Sequence, residues 1–313
     1  MLKMEMVKLL KDRIINRKSG IITYGLTPPK ESNDIEKVRE IAKKQLDRVQ
    51  RLGVDGLVIY DIQDEIDRNP DDRPFPYIKT VDPLKYSNEY FKSLNIPKII
   101  YHYVGKYTET ELKARIGKEN GEDKFSVFVG AATRNQSVKT KLSEAYKIKN
   151  IENPELFMGG VTIPERHIIG LDEHQRIIGK VNNGCSFFIS QAVCNVEASK
   201  SFLSDYYYFC RNKNLDMVPI ILTLTPCGSK KTLDFMKWLG ISIPKWLENE
   251  LIYSDNILEK SVALLKDIFE ELLEFSLEKQ IPIGWNIESV STKKEEIEAS
   301  VELVKDIKKL IGR

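Results

Sequence analysis

The feature that most constrains this chain is a rhythm. Eight times over, a short apolar run rich in β-formers gives way to Gly, Pro or polar punctuation, then to a longer charged stretch. The strand candidates are Ile21 to Leu26, Gly56 to Tyr60, Lys98 to Tyr103, Phe125 to Gly130, Phe157 to Ile163, Ser186 to Ser190, Val218 to Thr223 and Ile281 to Ile287. Parallel strands buried on both faces are apolar without interruption, as Gly56-Leu57-Val58-Ile59-Tyr60 and Val218-Pro219-Ile220-Ile221-Leu222 are. Helical period marks Asp34 to Leu52, Thr108 to Gly117, Asp172 to Asn183, Glu197 to Asn214 and Asn256 to Lys279. In the first of these, Ile35, Val38, Ile41, Ala42, Leu46 and Val49 recur at three- and four-residue steps, opposite a face of Lys, Arg and Glu. The rhythm predicts an α/β fold, a (β/α)8 TIM barrel occupying residues 1–313 as a single domain. An extra N-terminal helix is expected to close its bottom in preference to lying on a membrane surface, and a further extra helix is expected after the seventh strand. A doubly wound sheet would place GxGxxG after the first strand, where Tyr24-Gly25-Leu26-Thr27-Pro28-Pro29 stands instead.

Charge and cysteine usage narrow the function. Lys and Arg number 48 against 46 Asp and Glu, with no basic stripe interleaved with aromatics, so no nucleic-acid partner is expected. Cys185, Cys194, Cys210 and Cys227 lack zinc-site spacing and read as buried thiols of a reducing compartment. Met1 to Lys18 lacks the apolar core of a signal peptide, and no run reaches membrane-spanning length. The expectation is a cytoplasmic protein with no membrane partner. Asn256 to Lys279 is apolar enough for a core face and for the face of a homo-oligomer.

In such barrels the chemistry sits at the C-terminal strand ends. The polar residues found there are Tyr24, Asp61, Gln63, His102, Glu165, His167, Gln191, Asn286 and Glu288. Taken alone, His102 inside Ile99-Ile100-Tyr101-His102-Tyr103 is a satisfied core histidine, and Gln191 serves equally as a cap or as a reader of a heterocycle edge. Asp61, Asp64, Glu65 and Asp67 form a solvated loop in preference to a metal site, and no metal is expected. Asn69 to Pro76 is a Pro-rich connection or lid.

Around the sixth unit the residues become specific. Gly179-Lys180-Val181-Asn182-Asn183-Gly184-Cys185-Ser186-Phe187-Phe188-Ile189-Ser190-Gln191 resembles the K-x-x-A-G-A-x-F-x-I-T-Q segment of the methylenetetrahydrofolate reductase family. The similarity continues through Val218-Pro219-Ile220-Ile221 and Ile243-Pro244-Lys245-Trp246, and upstream in Ile163-Pro164-Glu165-Arg166-His167 and Leu26-Thr27-Pro28-Pro29-Lys30. The resemblance implies a (β/α)8 barrel of one-carbon folate metabolism that binds FAD and passes hydride from NAD(P)H to methylenetetrahydrofolate. It places His102, His167, Lys180 and Tyr60 at the cofactor, and sets Gln191 on the pterin of a folate-like substrate.

The chain departs from that family where acids and cations matter. Gly25 stands in place of the Glu that opens the substrate's ring, Val129-Gly130-Ala131 replaces R-G-D, Gly179-Lys180 replaces R-K, and a late Arg falls near Ser289. Losing one well-placed acid costs on the order of 10² to 10⁴ in rate. Asp61 and Glu288 are the candidates for a replacement catalytic acid. The alternatives are a folate-like or other heterocycle-binding barrel without flavin chemistry, or a one-carbon or methyl transferase.

Overall fold

The computed structural model describes residues 2–63, 71–117, 124–131, 136–170 and 172–313. The strands are β1 (Ile21–Leu26), β2 (Gly56–Ile59), β3 (Lys98–Tyr103), β4 (Lys124–Val129), β5 (Phe157–Thr162), β6 (Cys185–Ala192), β7 (Ile220–Leu224) and β8 (Ile283–Ile287). Each pairs in parallel with the next, and β8 returns to β1 to close the barrel. β7 and β8 begin two residues later than the apolar runs suggest, because Pro219 and Pro282 have no N–H to give a ladder. The N–H of Val218 goes instead to the Tyr206 hydroxyl at 2.8 Å.

Alternation along each strand makes two apolar layers. Ile21, Val58, Ile99, Tyr101, Phe125, Val127, Phe187, Ile189 and Ile221 fill the lumen. Their neighbours Ile22, Leu57, Ile100, Phe128, Phe188, Leu222 and Trp285 meet the helices outside. The paired glycines of β5 serve both layers: a Cβ on Gly159 would lie 2.6 Å from the Phe187 ring, and one on Gly160 would lie 2.8 Å from Phe188.

The helices are α1 (Leu2–Ile15), α2 (Ile35–Leu52), α3 (Pro83–Tyr90), α4 (Glu109–Gly117), α5 (Leu142–Glu152), α6 (Glu173–Val181), α7 (Val196–Lys213), α8 (Lys230–Trp238), α9 (Lys245–Ile252), α10 (Ile257–Glu278) and α11 (Lys294–Leu310). Asp34 starts α2 by accepting the Lys37 N–H, and Gly53 stops it in the left-handed region at φ 58°. Three helices, α8, α9 and α10, follow the seventh strand, so the barrel's own helix there is accompanied by two extra ones where the sequence suggested one. α1 plugs the barrel bottom: Leu10 and Ile14, 0% and 2% exposed, join the lumen cluster, and Gly56 leaves room for Leu10. Asp55 seals the same end, accepting the Ile22 N–H at 2.8 Å and gripping Arg313 through both guanidinium nitrogens at 2.8 Å. The N-terminal strand ends are thereby occupied, which leaves the C-terminal ends for a ligand. Among the described residues, no helix is long and apolar enough to cross a membrane.

Candidate functional site

The C-terminal ends of β1, β2, β7 and β8 hold a connected polar set. Asn286, wholly buried, lies at its centre. Its Oδ1 accepts the Thr23 hydroxyl at 2.9 Å, while its Nδ2 donates to the Tyr60 hydroxyl at 2.9 Å and to Thr223 Oγ1 at 3.2 Å. The Thr223 hydroxyl donates in turn to the Ser190 carbonyl at 2.7 Å. With both sides of its amide occupied, Asn286 is fixed in one orientation and holds the Tyr60 phenol in place. The Tyr60 ring also meets Tyr101 edge-on, with centroids 4.8 Å apart.

Glu288 stands one step above Asn286 on the same face of β8. Burial pushes its carboxyl up to about 7, against the pull of hydrogen bonding from Tyr60 and Asn286. Its Oε2 is buried with no hydrogen-bond partner. The space that this carboxylate occupies exists because residue 25 is glycine: a Cβ on Gly25 would lie 3.0 Å from Glu288 Oε2 and 2.8 Å from Tyr60 Cε2. β1 and β8 are neighbours, with Tyr24 opposite Ile287. An acid from the eighth strand's end thus occupies the space beside residue 25 of the first.

Asp61 is differently employed. Its carboxylate, 4% exposed, pairs with Lys106 at 2.6 Å and accepts the Tyr103 N–H at 2.9 Å, tying β2 to β3. Gln191 donates its amide N–H to the Leu239 carbonyl at 3.0 Å and so anchors the end of α8 over β6. Lys180 runs along α6 to the Val161 carbonyl, and its burial lowers its pKa. His102 lies on the outer face of β3, where its Nδ1 accepts from Arg115 Nε at 2.9 Å and its ring meets Phe128. His167 follows a helical turn at Pro164–Arg166, on the rim beyond β5, with Nε2 3.0 Å from Asp205. Of the residues singled out from sequence, the fold brings Tyr60, Asn286 and Glu288 together, while His102, His167 and Lys180 lie apart from them. Asp64, Glu65 and Asp67 fall outside the described residues. Thr23 and Thr223 were not legible as site residues, because a threonine in a β-run signals nothing beyond strand propensity.

Asp71, Arg73 and Phe75, which follow β2 in the chain, pack on α8. The Trp238 indole N–H donates to the Asp71 carbonyl at 2.9 Å, the Arg73 guanidinium lies 5.1 Å from the centre of the Phe235 ring and 5.2 Å from that of Trp238, and Phe75 meets Phe235 edge-on at 5.2 Å. Residues from the β2 side thus dock on α8, beyond β7, and form an aromatic and cationic shelf. Beside it a cavity of about 20 Å³, lined by Cys194, Thr225 and Cys227 among others, has room for little more than a water molecule.

Glu165 is a second acid whose carboxyl is raised by burial. Burial pushes its carboxyl up to about 7, despite the backbone N–H groups of Cys194 and Asn195 nearby.

No family model matches the chain, and no curated protein does. Among solved structures, a Clostridium thermocellum protein that binds two copies of 5-methyl-5,6,7,8-tetrahydrofolic acid is 60% identical, with a TM-score of 0.86 over 96% of this chain and 99% of its own. The chain belongs to the family of that protein. Xanthomonas albilineans dihydropteroate synthase, 10% identical over 95% of each chain with a TM-score of 0.44, is far more distant. So is 2,3-dimethylmalate lyase, 12% identical over 98% of each chain with a TM-score of 0.45. Membership in the Clostridium thermocellum protein's family rests on the first match alone, and none of these comparisons names the reductase family.

Proposed function

We propose that this chain binds a methyltetrahydrofolate at the mouth between β1, β2, β7 and β8. The observation that carries the reading is the fixed constellation of Asn286, Tyr60 and Glu288 over Gly25, in a chain 60% identical to a methyltetrahydrofolate-binding barrel. A pterin presents an edge of N–H donors beside a carbonyl acceptor. A carboxyl that titrates near neutrality with one unpartnered oxygen suits that edge in either protonation state. Calorimetric titration with 5-methyltetrahydrofolate tests this. The intact chain should give saturable heat, and Glu288→Ala should weaken binding by roughly tenfold or more, the equivalent of about 1.5 to 3 kcal/mol for a charged hydrogen bond. Absence of heat from the intact chain would overturn the proposal.

The finer reading is a methylenetetrahydrofolate reductase-like reaction with Glu288 as the proton donor to the substrate's ring and NAD(P)H as the hydride source. It is supported by the carboxyl's place beside Gly25 and by a pKa matched to neutral pH. The residues expected at FAD fit a flavin poorly, since His102 is buried outside the barrel and Lys180 is engaged by the Val161 carbonyl. No step is therefore routed through it. Folate-dependent oxidation of NAD(P)H, reduced on the order of 10² to 10⁴ in Glu288→Gln, would support the reaction. Folate binding without such oxidation would leave a binding protein or a methyl transferase.

A further inference from the structure

Two of the chain's three histidines meet on the rim beyond β5, away from Glu288. One ligand atom each from His167, Asp172 and His174 lies within 4.8 Å of the other two. His174 is 7% exposed, and its ring meets His167 edge-on with centroids 5.2 Å apart. The Asp205 carboxylate lies 3.0 Å from His167 Nε2, and a carboxylate accepts the N–H there, so a neutral ring presents Nδ1 as a lone pair. Nδ1 of His167 is buried without a hydrogen-bond partner, and so is Nδ1 of His174. Buried imidazole nitrogens without a hydrogen-bond partner are costly, and a bound cation would supply the missing partner.

We infer that His167, Asp172 and His174 bind a divalent cation of the zinc class. Two imidazoles and a carboxylate are a borderline donor set that suits zinc over calcium or magnesium. The carboxylate that holds the far nitrogen of His167 is the partner that orients metal-binding histidines. Ligands around a tetrahedral zinc lie roughly 3.3 Å apart, so an ion would draw together three atoms that already lie within 4.8 Å of one another. Asp172 is exposed, which leaves the coordination shell open on the solvent side. The ion would fasten the start of α6 to α7, because the ligands come from the β5–α6 connection and α6 while Asp205 comes from α7.

Chelator-treated full-length protein titrated with cobalt(II) alone tests the site independently of any folate. One saturable equivalent with the visible absorption of tetrahedral nitrogen and oxygen coordination is expected, competed away by zinc(II). His174→Ala should weaken cobalt(II) binding by about 10²-fold or more, and Asp205→Asn by about 10- to 10²-fold. Circular dichroism would establish that each variant is folded. The cobalt spectrum of the unmutated chain does not depend on the variants. No saturable uptake by that chain, or a thiolate-to-cobalt band pointing to the cysteines, overturns the site.

Discussion

At the residue scale, two carboxyls raised by burial each add a pH dependence to the barrel's stability. Glu165 and Glu288 are both raised from 4.5 to about 7 by burial. Below about pH 4.5 such a group is protonated in the folded and unfolded chains alike. Between about 4.5 and 7 the unfolded chain loses the proton that the native state keeps, so stability falls as pH rises through that window and is flat above it. For Glu165 the shift corresponds to about 3 kcal/mol. Glu165→Gln should remove that share of the slope. In urea denaturation, the variant should gain about 3 kcal/mol relative to the parent on going from about pH 4 to about pH 8, and an unchanged difference would show that the carboxyl titrates normally. Gly25 works at the same scale by subtraction, since a single methyl there would meet Tyr60 Cε2 at 2.8 Å and displace the Glu288 carboxylate.

At the scale of elements, α1 is integral to the barrel. Leu10 is wholly buried against lumen residues, so Leu10→Ala should cost about 2 to 5 kcal/mol, the range for deleting a buried leucine with partial collapse of its site. Chemical denaturation would measure it, and a loss under about 1 kcal/mol would mean that the helix merely rests on the surface. The strands were legible because uninterrupted apolar runs report burial on both faces. For the same reason their facing was not. In Ile99-Ile100-Tyr101-His102-Tyr103 every position is buried, and nothing local tells which alternate set enters the lumen, so His102 could be placed at the mouth or outside it. The structure puts it outside, with Arg115 and Ser126. α3 was not singled out either, although Asp82 and Pro83 form an ordinary N-cap and first turn, because its eight residues are too few to establish a period.

For the whole molecule, local hydrophobic periodicity was enough to determine the class of fold. Eight βα units and the closing helix at the bottom are consequences of where apolar residues recur, whereas the insertion after the seventh strand has one more helix than was expected. Gly25 and Val129-Gly130-Ala131, standing where the family resemblance leads one to expect acids, can also be read without coordinates. What it left undecided is which residues meet. Thr23 and Asn286 bond across 263 positions, and Glu288 reaches the space above Gly25 only because β8 closes on β1. The two histidines on the rim likewise acquire a shared purpose only when α6 folds back beside α7. Periodicity is a property of neighbours in the chain. A site is a property of barrel closure and strand facing, which depend on packing between segments that the sequence keeps far apart.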